Sequence, residues 1–220
     1  MKITKNNQNG RSMIEMLGVL AIIGVLSIGA IAGYSKAMFK YKMNKTMDII
    51  SHAVARVAEL ETMNWGDGFE LMTKQHMVKY GILPDCDMNY VDIYGDTKHS
   101  CPLPLGEVSV YFGFGYEDYM HGEFCINFLQ EPFDSCVAFL NSGIYKNVPE
   151  DWWTAYDENA GGFIYIDNGN DVEEYVYGKS EFALSKGAKS ELTGQDILEA
   201  CEICKNGKYC RIYWVVRDEL

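Results

Sequence analysis

No cysteine occurs in the first 85 of the 220 residues, no proline before Pro84, and no charged side chain between positions 16 and 35. Each absence excludes something. Without proline, nothing forces a break in a helix over the first third of the chain. Twenty uncharged residues at 1.5 Å each span about 30 Å, the thickness of a bilayer hydrocarbon core. Basic side chains are also scarce, 19 against 31 acidic ones, for a formal charge of −12. Phosphate neutralisation needs clustered Lys and Arg, so nucleic acid is not expected as a partner. The acidic surface is read as a solubility device. No Ser/His/Asp elbow, glycine-rich phosphate loop or paired-carboxylate motif occurs, so no enzyme, cofactor or metal is expected. What is present lies beyond the apolar stretch: cysteines at 86, 101, 125, 136, 201, 204 and 210. Cysteines confined to that side suggest disulfides in an oxidising compartment, and the odd count leaves at least one over.

Residues 1–10, MKITKNNQNG, are short, polar and basic, and RSMIEMLGVLAIIGVLSIGAIAGYSKAMF follows. The apolar part exceeds the ~7–15 residues of a secretory signal and lacks a small-x-small cleavage site. Its nine Leu, Ile and Val residues from Leu17 to Ile31 contribute roughly −3 to −5 kcal/mol to insertion, while Glu15 opposes it by up to ~3 kcal/mol at mid-membrane. Gly18, Gly24, Gly29 and Gly33 add little to insertion but permit close helix approach. Basic residues flank the span almost evenly: Lys2, Lys5 and Arg11 before it, Lys36, Lys40, Lys42 and Lys45 after it. The N-terminus is placed in the cytoplasm because a short tail precedes a large cysteine-bearing domain.

The helix is predicted to run on. Met43, Met47, Ile50, Val54 and Val57 form a one-sided apolar stripe, read as core. Asn64-Trp65-Gly66-Asp67-Gly68 is a stop signal. A helix over about 12–62 would be ~77 Å long, too long for one globule. Hence the division expected is a leader at 1–10, a transmembrane and assembly helix at 11–35, its amphipathic continuation at 36–62, and a globular domain at 63–220. Within that domain residues 69–106 are predicted as loop with short helical pieces, including 69–80, where Cys86 and Cys101, 15 apart in turn-rich sequence, could form a local disulfide. GEVSVYFGFGY and residues 122–129 read as strands. Pro132 opens a short helix that ends at Ser142-Gly143. Residues 162–167 and 172–177 flank the hairpin turn DNGND, and Thr193 begins a capping box. YCRIYWVVR reads as a central strand. A long helix followed by strands is an α+β arrangement, the helix packed on an antiparallel sheet.

Gly10-Arg11-Ser12-Met13-Ile14-Glu15, running into MLGVLAIIGVLS, resembles the class III leader junction of type IV pilins and pseudopilins. The resemblance covers about residues 5–40. It implies cleavage by a membrane peptidase after Gly10, N-methylation of Arg11 as the first mature residue, and a role in assembly for Glu15. Arg11 replaces the apolar residue usual there, and Ala32 stands where many members carry proline. The order of elements is similar to the larger, type IVb pilins, and this implies the pilin fold and a disulfide from the short middle helix to the C-terminal region, with Cys136 and Cys201 the candidates. Cys204 and Cys210 flank Asn206-Gly207 and could pair across it, leaving Cys125 over, with the connectivity open. The implied protein is a prepilin, anchored in the inner membrane by one helix before assembly and displayed on the cell surface after it. Its partners are copies of itself, the prepilin peptidase and the assembly machinery. A single-span anchored binding protein that never polymerises is the alternative, and a secretion pseudopilin is another.

Other chemistries weigh less. Cys201-Glu202-Ile203-Cys204 is a C-x-x-C, but it ends a predicted helix, whereas redox pairs begin one. Zinc through Cys201, Cys204, Cys210 and one of His52, His76, His99 or His121 lacks a finger spacing. Asp167-Asn168-Gly169-Asn170-Asp171, with Glu173 and Glu174, departs from the EF-hand pattern. Trp152-Trp153 reads as a packed corner or an adhesive patch.

Overall fold

A computed structural model describes residues 13–61, 78–83, 100–114, 120–148, 161–170, 173–207 and 209–216. Helix α1 (Met13–Glu61) is one uninterrupted run of 49 residues. The chain divides into two units, with the division between Tyr41 and Lys42 inside that helix. In the first unit the described apolar residues of α1 are exposed as far as Ala37, and Met38 and Phe39 are half-buried. In the second, Met43, Thr46, Ile50, Ala53, Val54 and Val57 are buried, at spacings of three and four that define one face. That face packs on the sheet. Lys42 Nζ donates to Gln130 Oε1, and Arg56 Nε donates to the Tyr80 carbonyl.

Six antiparallel strands follow: β1 (Ser100–Leu103), β2 (Gly106–Phe114), β3 (Met120–Phe128), β4 (Phe163–Asp167), β5 (Glu173–Gly178) and β6 (Cys210–Val216), in spatial order β1-β2-β3-β6-β4-β5. The C-terminal strand therefore lies in the middle, paired with β3 on one side and β4 on the other. Its alternation explains the placement: Ile212 and Trp214 are fully buried on one face, and Val215 is buried on the other. A strand covered on both sides gains most by pairing on both edges.

Two expectations need correction. Residues 100–103 are not loop but strand β1, paired with β2 from Leu103↔Gly106 to Ser100↔Ser109. Pro102 hides this in the sequence, yet it is exposed on an edge strand, where a missing amide costs no ladder bond. Gly106 follows the turn, and a side chain there would place its Cβ 1.8 Å from the Asn127 carbonyl oxygen. The second strand begins at Met120, two residues earlier than expected. Of residues 69–80, only 78–80 are described, and Val78 and Lys79 are helical.

Helix α2 (Pro132–Ser142) has proline in its first turn and ends at Gly143 in the left-handed conformation, whose N–H returns to the Leu140 carbonyl. Its Phe139 packs against Phe128 of β3. A one-turn helix, α3 (Glu181–Ser185), is capped by Ser180, whose hydroxyl accepts from the Ala183 amide. Helix α4 (Gly194–Cys201) carries a complete capping box between Thr193 and Asp196. Beyond β5 the chain folds back, and Lys189 bonds Val176 and Gly178 along that outer edge.

Candidate functional site

The described span of α1 begins with Glu15 exposed in its first turn. Leu17, Leu20, Ile23, Val25, Leu26, Ile28 and Ile31 are all exposed, and the helix is long and apolar enough to cross a membrane. A Cβ built on Gly18, Gly24, Gly29 or Gly33 meets nothing within 4 Å. Among the described residues these glycines fill no tight spot, and each costs about 1 kcal/mol against alanine in a helix. Ser27 Oγ donates to the Ile23 carbonyl, which satisfies the hydroxyl without water. Gly10 and Arg11 lie outside the described residues.

Four of the described cysteines form two neighbouring bridges. Cys136 in α2 is bonded to Cys201, the last residue of α4, across 65 residues. Cys204, in the 3-10 turn Glu202–Lys205, is bonded to Cys210, the first residue of β6. The pairing within C-x-x-C that redox chemistry requires is therefore not made. Cys101 is disulfide-bonded, and its expected partner Cys86 lies outside the described residues. Cys125 on β3 carries a buried thiol. The zinc reading with histidine finds no support among the described residues: His52 sits on an exposed position of α1, and the other three histidine side chains are not described.

The DNGND turn is committed to structure. Asp167 Oδ1 accepts from the Gly169 amide, and Asn168 Oδ1 accepts from the Asn170 amide. Asn168 Nδ2 donates to the Ile203 carbonyl, and Asn170 Nδ2 to that of Asn206, so this turn is stitched to the one between the two bonded cysteines. Gly169 has φ +75, and a Cβ there would sit 2.6 Å from the Tyr209 ring. Asp167 also pairs with Arg211 at 4.0 Å. Asp171 lies outside the described residues, as do Trp152 and Trp153.

A feature missed in the sequence is a row of side chains on one sheet face. Register places Tyr175, Tyr165, Tyr213 and Cys125 side by side on β5, β4, β6 and β3. Tyr165 and Tyr213 stack with centroids 4.6 Å apart and planes 6° from parallel. Beside them runs a polar row, Asp167, Arg211, Asn127 and Glu107. Asn127 Nδ2 and Ser100 Oγ donate to the two carboxylate oxygens of the buried Glu107. The signal was there: each of FIYID, EEYVYG and CRIYWVV carries tyrosine at its centre. Burial, then the Cys125 thiol, raise the Tyr213 phenol well above its usual range. Burial, then Glu199, raise Glu174, with Lys189 opposing. Hydrogen bonds from Lys189 and Thr193 hold Asp196 far below the usual carboxylate range.

Comparisons of the chain with protein-family models, with curated proteins and with solved structures returned no match.

Proposed function

We propose that this chain is the subunit of a type IV pilus or a related filament, cleaved after Gly10, methylated on Arg11 and polymerised through α1. One observation carries the reading: the Gly10-to-Glu15 junction leads into an apolar helix whose first half is exposed and whose second half buries one face on the domain. An exposed apolar half needs another environment. Lipid supplies it before assembly, and a bundle of parallel helices from neighbouring copies supplies it afterwards. The modest insertion energy, roughly 3 to 5 kcal/mol, makes that transfer reversible. The open glycines let helix backbones approach closely.

Glu15 explains the register. A carboxylate at the edge of an apolar helix is costly unless it meets a cation. Cleavage after Gly10 creates an amine four residues away, on Arg11. In a staggered bundle Glu15 of one copy meets the terminal amine of the next, a use of a paired charge to fix alignment. The domain beyond the span lies on the extracytoplasmic side, where its disulfides are stable.

The mature N-terminus is the test. Mass spectrometry of material from cells is expected to find a methylated Arg11, and filaments built from chains that keep Met1 would overturn the proposal. Glu15→Ala is expected to be made and inserted but to give no filaments. Normal filaments in electron micrographs of that variant would refute the role of Glu15.

A further inference from the structure

The two C-terminal disulfides lie against one another. The Sγ atoms of Cys136, Cys204 and Cys210 are all within 4.8 Å of each other, and Cys201 is bonded to Cys136. Two disulfides thus lie beside one another in the core, their four sulfurs held by different pieces of backbone: α2, the end of α4, the 3-10 turn and the start of β6. All four residues are fully buried. Tetrahedral zinc thiolates have metal–sulfur bonds of about 2.3 Å, which puts their sulfurs about 3.8 Å apart. Cys136 Sγ therefore lies at most about 1 Å further from the sulfurs of Cys204 and Cys210 than such a site requires. Once both S–S bonds are broken, Cys204 has to part from Cys210, and Cys201 from Cys136, by about 2 Å, and Cys201 has to turn towards the other three.

We propose that in the reduced chain Cys136, Cys201, Cys204 and Cys210 form a tetrathiolate site for a soft d10 dication, zinc above all. Spacing alone suggested Cys201, Cys204 and Cys210 with a histidine. The fold supplies Cys136 instead, 65 residues upstream of Cys201. Thiolates select zinc over magnesium or calcium by softness, and four sulfurs without an open position make a structural site. The balance is simple. Reduction breaks two S–S bonds: two phosphines supply four electrons, two waters supply four protons, and the phosphines leave as their oxides. The metal then displaces the four protons and leaves a dianionic centre. A small-molecule disulfide takes up the four electrons, two per molecule, and becomes thiol, which restores both bridges and releases the ion. Either state ties α2, α4 and β6 together, so the core cross-link persists while its chemistry changes. The site lies outside the span and stands independently of the filament reading.

The test uses the full chain in detergent micelles, reduced with a phosphine and titrated with Co2+ and then Zn2+. One Co2+ per chain is expected, with thiolate charge-transfer bands and tetrahedral visible bands, and Zn2+ is expected to bleach them. Alkylation mapped by mass spectrometry is expected to find those four cysteines shielded by metal, and Cys125 unchanged in its reactivity. Cys136→Ser and Cys204→Ser are each expected to weaken binding at least ~100-fold, while Cys125→Ser leaves it unchanged. Absence of tight binding by the reduced chain, folded or not, overturns the proposal. So does shielding of any other set of cysteines, or affinity indifferent to Cys136.

Discussion

Removing the two C-terminal disulfides separately, as Cys136→Ala with Cys201→Ala and as Cys204→Ala with Cys210→Ala, weighs their energies against each other. The first bridge spans 65 residues and the second spans 6. In the chain-entropy relation a 65-residue closure is worth about 4 kcal/mol at room temperature and a 6-residue closure about 2 kcal/mol. All four cysteines are fully buried, so the packing lost with two sulfurs is similar for both pairs and drops out of the comparison. What remains is a difference of about 2 kcal/mol. Urea slopes near 2 kcal/mol per molar, in the range for domains of this size, turn that into midpoints about 1 M apart. The assay is urea unfolding of the full chain in micelles, followed by near-ultraviolet circular dichroism, which reads the packed aromatics of the domain rather than the span. The Cys136–Cys201 variant is expected to unfold first. Equal midpoints, or a less stable Cys204–Cys210 variant, would show that loop closure does not govern these bridges.

Three further outcomes follow from particular contacts. Ile50→Ala is expected to cost the domain about 2 to 5 kcal/mol, because that side chain is 0% exposed. Ile22→Ala, at 62% exposed, is expected to leave the domain's urea midpoint unchanged, and equal losses would contradict the division of α1. Gly169→Ala is expected to cost about 1 to 3 kcal/mol, since it combines a left-handed backbone with a clash against Tyr209. An unchanged midpoint for that variant would refute the account of the turn. Burial, then Tyr177, push the Tyr145 phenol up to about 12. A raised phenol binds its proton more tightly in the folded state, so its contribution is whole below the unfolded value of about 10 and is lost as pH climbs towards 12. Stability measured between these limits is expected to fall less steeply in Tyr145→Phe, and an identical slope would count against it.

Much of this was legible because local chemistry and tertiary packing agree. Helix α1 is described without a break from Met13 to Glu61, inside its sequence limits of about 12–62, since the proline-free run and the apolar stripe act locally. Gly143 closes α2 and Thr193 opens α4 for the same reason: a cap is made by residues within a turn of one another. β1 was not legible, because its pairing partner, not its composition, makes SCPL a strand. Nor was α3, whose single turn gains its stability by covering Phe163 and Val215.

The tyrosine row and the polar row beside it needed the sheet order. Residues 125, 165, 175 and 213 become neighbours only through β3-β6-β4-β5. The sulfur cluster needed the same step, because Cys136 reaches the C-terminal cysteines only when α2 and β6 meet. By itself the amino-acid order determined the lengths, caps and faces of the elements, and the Gly10–Glu15 junction, because those depend on neighbours a few residues apart. Strand order, the row of stacked rings and the approach of the two disulfides were decided only in three dimensions, since loop closure brings distant residues together at a cost that no local pattern records.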